Sequence, residues 1–380
     1  MKTLGIGVIG YGFMGKTHTF AHKVLPLHYD PMPVDCTMQV ICEATEQLAR
    51  QAAHAGGFAR HTTQMEDVIA DPAVDVVHIC TPNSLHAPAL RLAIAAGKHI
   101  YVDKPVTASL AQADELEQLL KAYKGVGQVA LQCRFFPATL RAKQLIEQGF
   151  LGEVTHFRAA YLHSGSVDPA KPVNWKSTAA AGGGVIRDLG SHVVDLLWWL
   201  IGPFESVNCA SRIWAQHRPS LDKPGTMMAI DVEDAALMTL LCPGGAIGHC
   251  QVSKIATGAE DELSFEIHGR YGAIRCNLME PNYLEIYDAR LADGDFGGQR
   301  GWQRLATVQK YPGIGGKFPN PKFAMGWIRS HVHSLYSFIM AVADGRAASP
   351  SLAEGLHMQR VLEAIRLSAD TKATVPLPQR

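Results

Sequence analysis

Three short stretches carry groups able to move a proton and a hydride together. Asp103-Lys104-Pro105 follows an apolar run that reads as a buried strand, and Asp188-x-Gly190-x-His192 opens an apolar helix. An amine, a carboxylate and an imidazole can hold, orient and exchange a proton at a hydroxyl group. Gly10-Tyr11-Gly12-Phe13-Met14-Gly15, directly after the first apolar run, has the spacing of a dinucleotide-binding turn and so offers a place for a hydride carrier.

Each stretch has an ordinary structural explanation, because lysines in turns and polar pairs on helices are common. Their combination is what points to chemistry. Lys104, partly desolvated at a strand end beside a cationic nicotinamide, is expected to have a lowered pKa. Asp188 and His192 have the spacing of one helix face, which brings their side chains within mutual reach. Gly182-Gly183-Gly184 lets the backbone turn tightly into that element.

The glycine turn has the context it requires, a strand before and a helix after. Gly10 permits the turn, Gly12 lets backbone approach a pyrophosphate, Gly15 allows close helix packing, and Phe13 and Met14 lie within the turn. Glu43 ends the second strand-like run, where a carboxylate accepts from a ribose and repels a ribose phosphate. NAD is therefore favoured over NADP. Thr81, Pro82, Asn83 and His86 follow the third core strand and are expected to border the nicotinamide ribose, as ligands lie at the carboxyl ends of parallel strands.

Composition narrows the partners. The 380 residues include 35 Lys and Arg against 35 Asp and Glu, with no basic run, which argues against nucleic acid or an anionic membrane. Leu4 to Ile9 runs straight into the glycine motif and reads as a strand rather than a leader. No apolar stretch is long enough to span a bilayer. The eight cysteines sit singly, which suits reduced thiols in a cytoplasmic protein, and histidines and cysteines do not group at metal-ligand spacing, so no metal is expected.

The elements that must position these residues alternate at first. Apolar runs at Leu4–Ile9, Met38–Cys42, Val74–Cys80, His99–Val102 and Val129–Gln132 are separated by helical patterns, the clearest at Ser109–Tyr123, with Ser109 as its cap. That is the pattern of an α/β Rossmann domain over 1–134. Helices follow near 138–148 and 190–200. Strands at 154–162, 207–214, 234–242, 246–253, 263–269, 273–276 and 284–287 predict an α+β domain over 135–325 with a large, mostly antiparallel open sheet. Residues 288–325 read as a long loop, over the active site or at a subunit contact. Two helices in 326–380 are expected to pack back across both domains. One sheet face is expected to stay open and apolar, as Val252, Leu240 and Phe265 suggest, giving a homodimer or homotetramer.

Seven stretches in order, VIGYGFMGKTH, CTPNSLH, DKPV, QCRFFPA, NWK, GGGVIRDLGSHVVD and FEIHGRYGAI, span the chain, which resembles the Gfo/Idh/MocA oxidoreductases, with inositol- and levoglucosan-oxidising members among them. The resemblance implies that Lys104, Asp188 and His192 are catalytic, and that Asp103, Pro105, Arg134, Trp175 and Lys176 line the cleft near cofactor and substrate. It also implies substrate contacts from His163, and Trp327 as an aromatic wall for a sugar ring. Asp103 stands where relatives commonly have glutamate, Cys133 where they often have tyrosine and Lys176 where they often have arginine; the last two bear on substrate identity.

The resulting expectation is an NAD(H)-dependent dehydrogenase acting on a secondary alcohol of a sugar, anhydrosugar or cyclitol. His192 takes the hydroxyl proton, Lys104 polarises the oxygen, and Asp188 orients the imidazole. Two alternatives stay open: a non-catalytic NAD-binding regulatory protein and an NAD-assisted glycosidase.

Overall fold

The structure is a computed structural model that describes residues 2–221 and 223–379. The chain begins β1 (Lys2–Ile9), α1 (Phe13–His28), β2 (Val34–Cys42), α2 (Glu46–Gly56), β3 (Arg60–Thr62), α3 (Met65–Ala70), β4 (Val76–Ile79), α4 (His86–Ala95), β5 (His99–Val102), α5 (Leu110–Leu120) and β6 (Gly127–Val129). These strands form a six-stranded sheet in the order β3-β2-β1-β4-β5-β6, every pairing parallel. The central strands are mostly apolar and buried because helices cover both faces. The order reverses between β1 and β4, which leaves a crevice at their carboxyl ends, where the glycine turn begins.

A second unit follows: α6 (Pro137–Glu147), β7 (Val154–Leu162), α7 (Ser191–Ile201), β8 (Ser206–Arg212), β9 (His217–Pro219), β10 (Met227–Ala229), β11 (Ala235–Leu241), β12 (Ile247–Ser253), β13 (Glu262–Gly269), β14 (Gly272–Asn277), β15 (Tyr283–Asp288) and β16 (Trp302–Ala306). After α8 (Ile328–Asp344) and α9 (Leu352–Thr371), the short β17 (Val375–Pro376) completes a nine-stranded sheet, β16-β15-β14-β13-β7-β12-β11-β8-β17. Only β7 and β12 pair in parallel. Helix α8 packs its Val332, Leu335, Phe338 and Ile339 into the core around β1 and α1. Helix α9 contributes Leu352 and Leu356 to the core of the parallel sheet, and Val361, Leu362 and Ile365 to that of the large sheet.

Alternation along the large sheet divides its faces. Val252, Leu240 and Phe265 are buried under α6, α7 and α9, so they mark the covered face, not the open one. The open face is polar: Arg158, Glu266, Arg275, Glu285 and Arg304 stand in register across five adjacent strands as a row of alternating charge. The expectation of an apolar open face is therefore corrected.

Other differences are local. The run expected to be a strand at 129–132 leaves the sheet at Val129 and coils into a single helical turn, Gln132–Phe135; a buried apolar run looks alike in either conformation. The helix expected from 190 is preceded by a π-helical turn, Ile186–Gly190. The 288–325 segment contains β16, a largely exposed edge strand with no clear alternation. That segment is anchored by Tyr311 Oη donating to the Phe135 carbonyl (3.0 Å) and Met325 N donating to Asn282 Oδ1 (2.7 Å), packs Ile314 and Phe318 towards α1, and does not line the cavity described next.

Candidate active site

A cavity of about 1040 Å³ runs from the glycine turn to the large sheet. At its nucleotide end Gly10 has φ +91°, and a Cβ there would come within 2.8 Å of the Cys80 carbonyl. A Cβ at Gly15 would lie 2.1 Å from the Gly10 carbonyl, so α1 can pack this closely only with glycine at that position. Gly12 faces open space, and α1 starts there with no side-chain cap, leaving N–H groups and the positive dipole end for a diphosphate. The Glu43 carboxylate, in the cavity wall, accepts from Tyr11 N and from Ala44 N (3.0 Å), and keeps further acceptor capacity for a ribose. These residues fit a dinucleotide.

Phe13, Met14, Thr81, Pro82 and Asp103 also line the cavity. Gly15, Asn83, His86 and Pro105 do not. Asn83 Nδ2 donates to the Gly182 carbonyl (2.9 Å), and His86 is wedged between the carbonyls of Pro105 (2.8 Å) and Thr81 (3.0 Å). These two side chains hold the loops of the wall rather than facing a ligand. Arg134 is a clearer correction. Its guanidinium bonds both carboxylate oxygens of Asp195 on α7, with Nε–Oδ2 at 2.8 Å, and reaches Glu354 of α9 at 3.1 Å, so it is a buried structural ion pair outside the cavity.

At the far end, chain-distant elements converge. Lys104, just after β5, donates through Nζ to the Asp188 carbonyl (2.7 Å) and to Asp188 Oδ1 (2.9 Å). Lys176, in the short turn Trp175–Ser177, donates to Oδ1 (3.2 Å) and Oδ2 (3.0 Å) of the same carboxylate. Lys254, which follows β12, lies 2.9 Å from Oδ2. One carboxylate thus serves three ammonium groups. The π-helical turn delivers it, with Glu233 fixing the start of the turn by accepting from Ile186 N (3.0 Å).

This geometry alters two expectations. Burial pulls the Lys104 pKa down, but Asp188 and Asp103 outweigh it and the net shift is upward, so the lowered value expected is corrected. Asp188 has its carboxylate on the lysines and makes no hydrogen bond to His192, because the π-helical turn redirects it. Burial alone would raise Asp188, yet Lys104, Lys254 and Lys176 hold it well below the usual range. His192 lines the cavity with Nδ1 3.8 Å from Cys133 Sγ; burial, and then Lys104, push it far below an ordinary histidine, so its ring is neutral.

His163, Trp175 and Trp327 also reach the cavity. His163 Nε2 lies 2.8 Å from Asp261 Oδ1, which also accepts from Tyr161 Oη (2.7 Å). Trp327 stacks on Phe13 at 5.6 Å and lies tilted against His331 at 4.1 Å. Sequence reasoning missed Lys254, Tyr161, Asp261 and His331. Only Lys254 left a trace, a lysine directly after an apolar strand, as Lys104 is.

Fold and site together define a two-part nucleotide-dependent oxidoreductase. Residues 4–131 match the oxidoreductase family's NAD-binding Rossmann fold, and residues 143–377 match its C-terminal alpha/beta domain; the chain belongs to the Gfo/Idh/MocA family. Levoglucosan dehydrogenase of Pseudarthrobacter phenanthrenivorans is 33% identical over 100% of this chain and 99% of that protein. The NAD⁺-dependent scyllo-inositol 2-dehydrogenase of Bacillus subtilis is 26% identical over 74% of this chain and 76% of that one. The structure of levoglucosan dehydrogenase in complex with NADH and levoglucosan superposes with a TM-score of 0.93, at 33% identity and full coverage of both chains. The protein is accordingly an NAD-dependent oxidoreductase of the dehydrogenase type. Among the described residues no helix is long and apolar enough to cross a membrane, and all eight cysteines are free.

Proposed function

We propose that the enzyme interconverts a secondary alcohol and a ketone on a sugar, anhydrosugar or cyclitol, with Lys104 and His192 handling the carbinol proton. The observation that carries this reading is the meeting of Lys104, from the nucleotide-binding unit, with Asp188 and His192, from the other unit, on the cavity that the glycine turn opens into. Gly10, Gly12 and Glu43 would hold NAD, whose nicotinamide supplies a hydride acceptor or donor. Lys104, kept protonated by Asp188, donates a hydrogen bond to the carbinol oxygen and stabilises negative charge as it develops. His192, kept neutral by burial, has one ring nitrogen towards the Cys133 thiol and uses the other to accept the hydroxyl proton. Asp188 keeps Lys104 charged and in place. Trp175 and Trp327 offer apolar faces to the substrate ring, and His163 with Asp261 offers polar partners to its hydroxyls.

Levoglucosan, xylose and inositol dehydrogenases among the relatives support a polyhydroxylated substrate. The test is NADH formation with a panel of sugars, anhydrosugars and cyclitols, in the wild type and in Lys104→Ala and His192→Ala. Each variant is expected to lose about 10²–10⁴-fold in kcat with NADH affinity retained. Unchanged turnover in both would remove the assignment, and glycoside cleavage without NADH accumulation would favour the glycosidase instead. A homodimer or homotetramer is the expected assembly, and sedimentation of the purified protein tests its stoichiometry.

A further inference from the structure

Three ammonium groups converge on one carboxylate at the substrate end of the cavity. Lys104 and Lys254 keep 11% and 15% of their side chains exposed, Lys176 keeps 42%, and Asp188 is the single carboxylate in ion-pair contact with them among the described residues. Asp103 adds negative charge beside Lys104 and accepts from the Lys104 backbone N–H (2.8 Å), and the other neighbouring acids have partners of their own. Asp261 holds Tyr161 and His163, Asp234 pairs with Arg218 at 4.0 Å, and Glu233, its pKa raised by burial, bonds Ile186 N. Holding three ammonium groups, those of Lys104 and Lys254 nearly buried, on one carboxylate leaves them room to gain from a further anion. Burial lowers the Lys176 pKa against the pull of Asp188, and Lys104 and Lys254 add to the lowering.

Resting on the dehydrogenase reading above, we propose that the substrate is a sugar acid whose carboxylate docks on Lys176 and Lys254. Both ammonium groups touch Asp188 Oδ2, at 3.0 and 2.9 Å, so they stand close enough together to grip one carboxylate between them. A monoanion suits the site better than a phosphate, because the carboxylates of Asp188 and Asp261 at the same end repel a second negative charge. Lys104 binds the same Asp188 carboxylate from its other oxygen. The carbinol that Lys104 serves and the acid group that Lys176 and Lys254 hold are therefore near each other in the substrate.

The experiment compares matched pairs, D-glucuronate with D-glucose and D-galacturonate with D-galactose, with glucose 6-phosphate as the phosphate arm. It reads kcat/KM, and independently the thermal shift of the NADH-loaded enzyme, in the wild type, Lys254→Met and Lys254→Gln. The acid is expected to exceed its neutral parent by roughly tenfold or more, the scale of one hydrogen bond to a charged group. That ratio should fall towards one in both variants and shrink with added salt. An acid-specific thermal shift without turnover would uphold the anion site while telling against the proposed oxidation of a carbinol beside it. Neutral sugars used as well as acids, a ratio untouched by either variant, preference for the phosphate, or no acid-specific shift at all would each overturn the proposal.

Discussion

Two of the clusters of ionisable side chains in this molecule, one fully buried and one at the cavity wall, end in opposite charge states. Beneath the glycine turn, His18 and His22 of α1 and His78 of β4 form a chain, His22 Nε2 to His78 Nε2 at 2.9 Å and His78 Nδ1 to His18 Nδ1 at 3.1 Å. Burial depresses His18 to about 4 against a weaker pull from Asp103, and burial followed by His18 depresses His22 to about 3. His78 lies well below the ordinary value for the same first reason, and the three rings are neutral. At the far end of the cavity Lys104 is largely enclosed too, yet it keeps its proton, with Asp188 in contact. A lysine starts from a higher pKa than a histidine, and the contact with Asp188 and the nearby Asp103 offset the burial that leaves the three imidazoles neutral.

The largest effect should come from removing that carboxylate. Asp188→Ala leaves three ammonium groups facing one another, and breaking a buried ion pair by removing one partner costs about 3–5 kcal/mol. Urea unfolding should show a loss of that order, partly recovered at high salt or by adding Lys254→Met. Wild-type stability in Asp188→Ala would mean that the lysines can shed their protons as easily as the histidines do, and the contrast between the clusters would disappear.

The histidine chain makes the complementary prediction in pH. Each of its imidazoles has a folded pKa below the unfolded value of about 6.5, so the unfolded chain binds more protons as the medium acidifies. Stability is then full above about pH 6.5 and declines as pH falls towards 4, by about 1.4 kcal/mol per pH unit for each histidine taking up a proton. Unfolding between pH 7.5 and 5 should show this slope, and His78→Leu should reduce proton uptake by about one. An unchanged slope in that variant would show that the ring is already protonated in the native state.

What the sequence revealed of these clusters depended on how far apart their members lie. The glycine turn was legible because its requirement is local, a positive φ at Gly10 and a close contact at Gly15. Helix α5 was legible because Ser109 caps it within a few residues, its side chain accepting from Gln112 N. The Lys104 position could be read, but not its pKa, because the partner that raises it is 84 residues away. Arg134 was misplaced for the same reason: Asp195, 61 residues on, claims the guanidinium that was expected in the cleft. Lys254 and Asp261 gain their roles only when β7, β12 and β13 pair across the sheet, and no spacing along the chain anticipates that. The π-helical turn at Ile186–Gly190 has the same residue pattern as an α-helix start, yet it redirects Asp188 from His192 to the lysines.

The smallest effect sharpens the comparison from outside. On the open sheet face Arg158 meets Glu266 at 2.6 Å, a shorter contact than any between Asp188 and its lysine side chains, but the arginine side chain is 59% exposed. Water and salt screen such a pair, so distance alone does not set its worth. Arg158→Ala should cost less than about 1 kcal/mol in urea unfolding, and the loss should vanish at high salt. A loss as large as that of Asp188→Ala would show that this row is desolvated in solution. If that loss also grew with protein concentration, the cover would be a second copy of the chain, because only association couples stability to concentration.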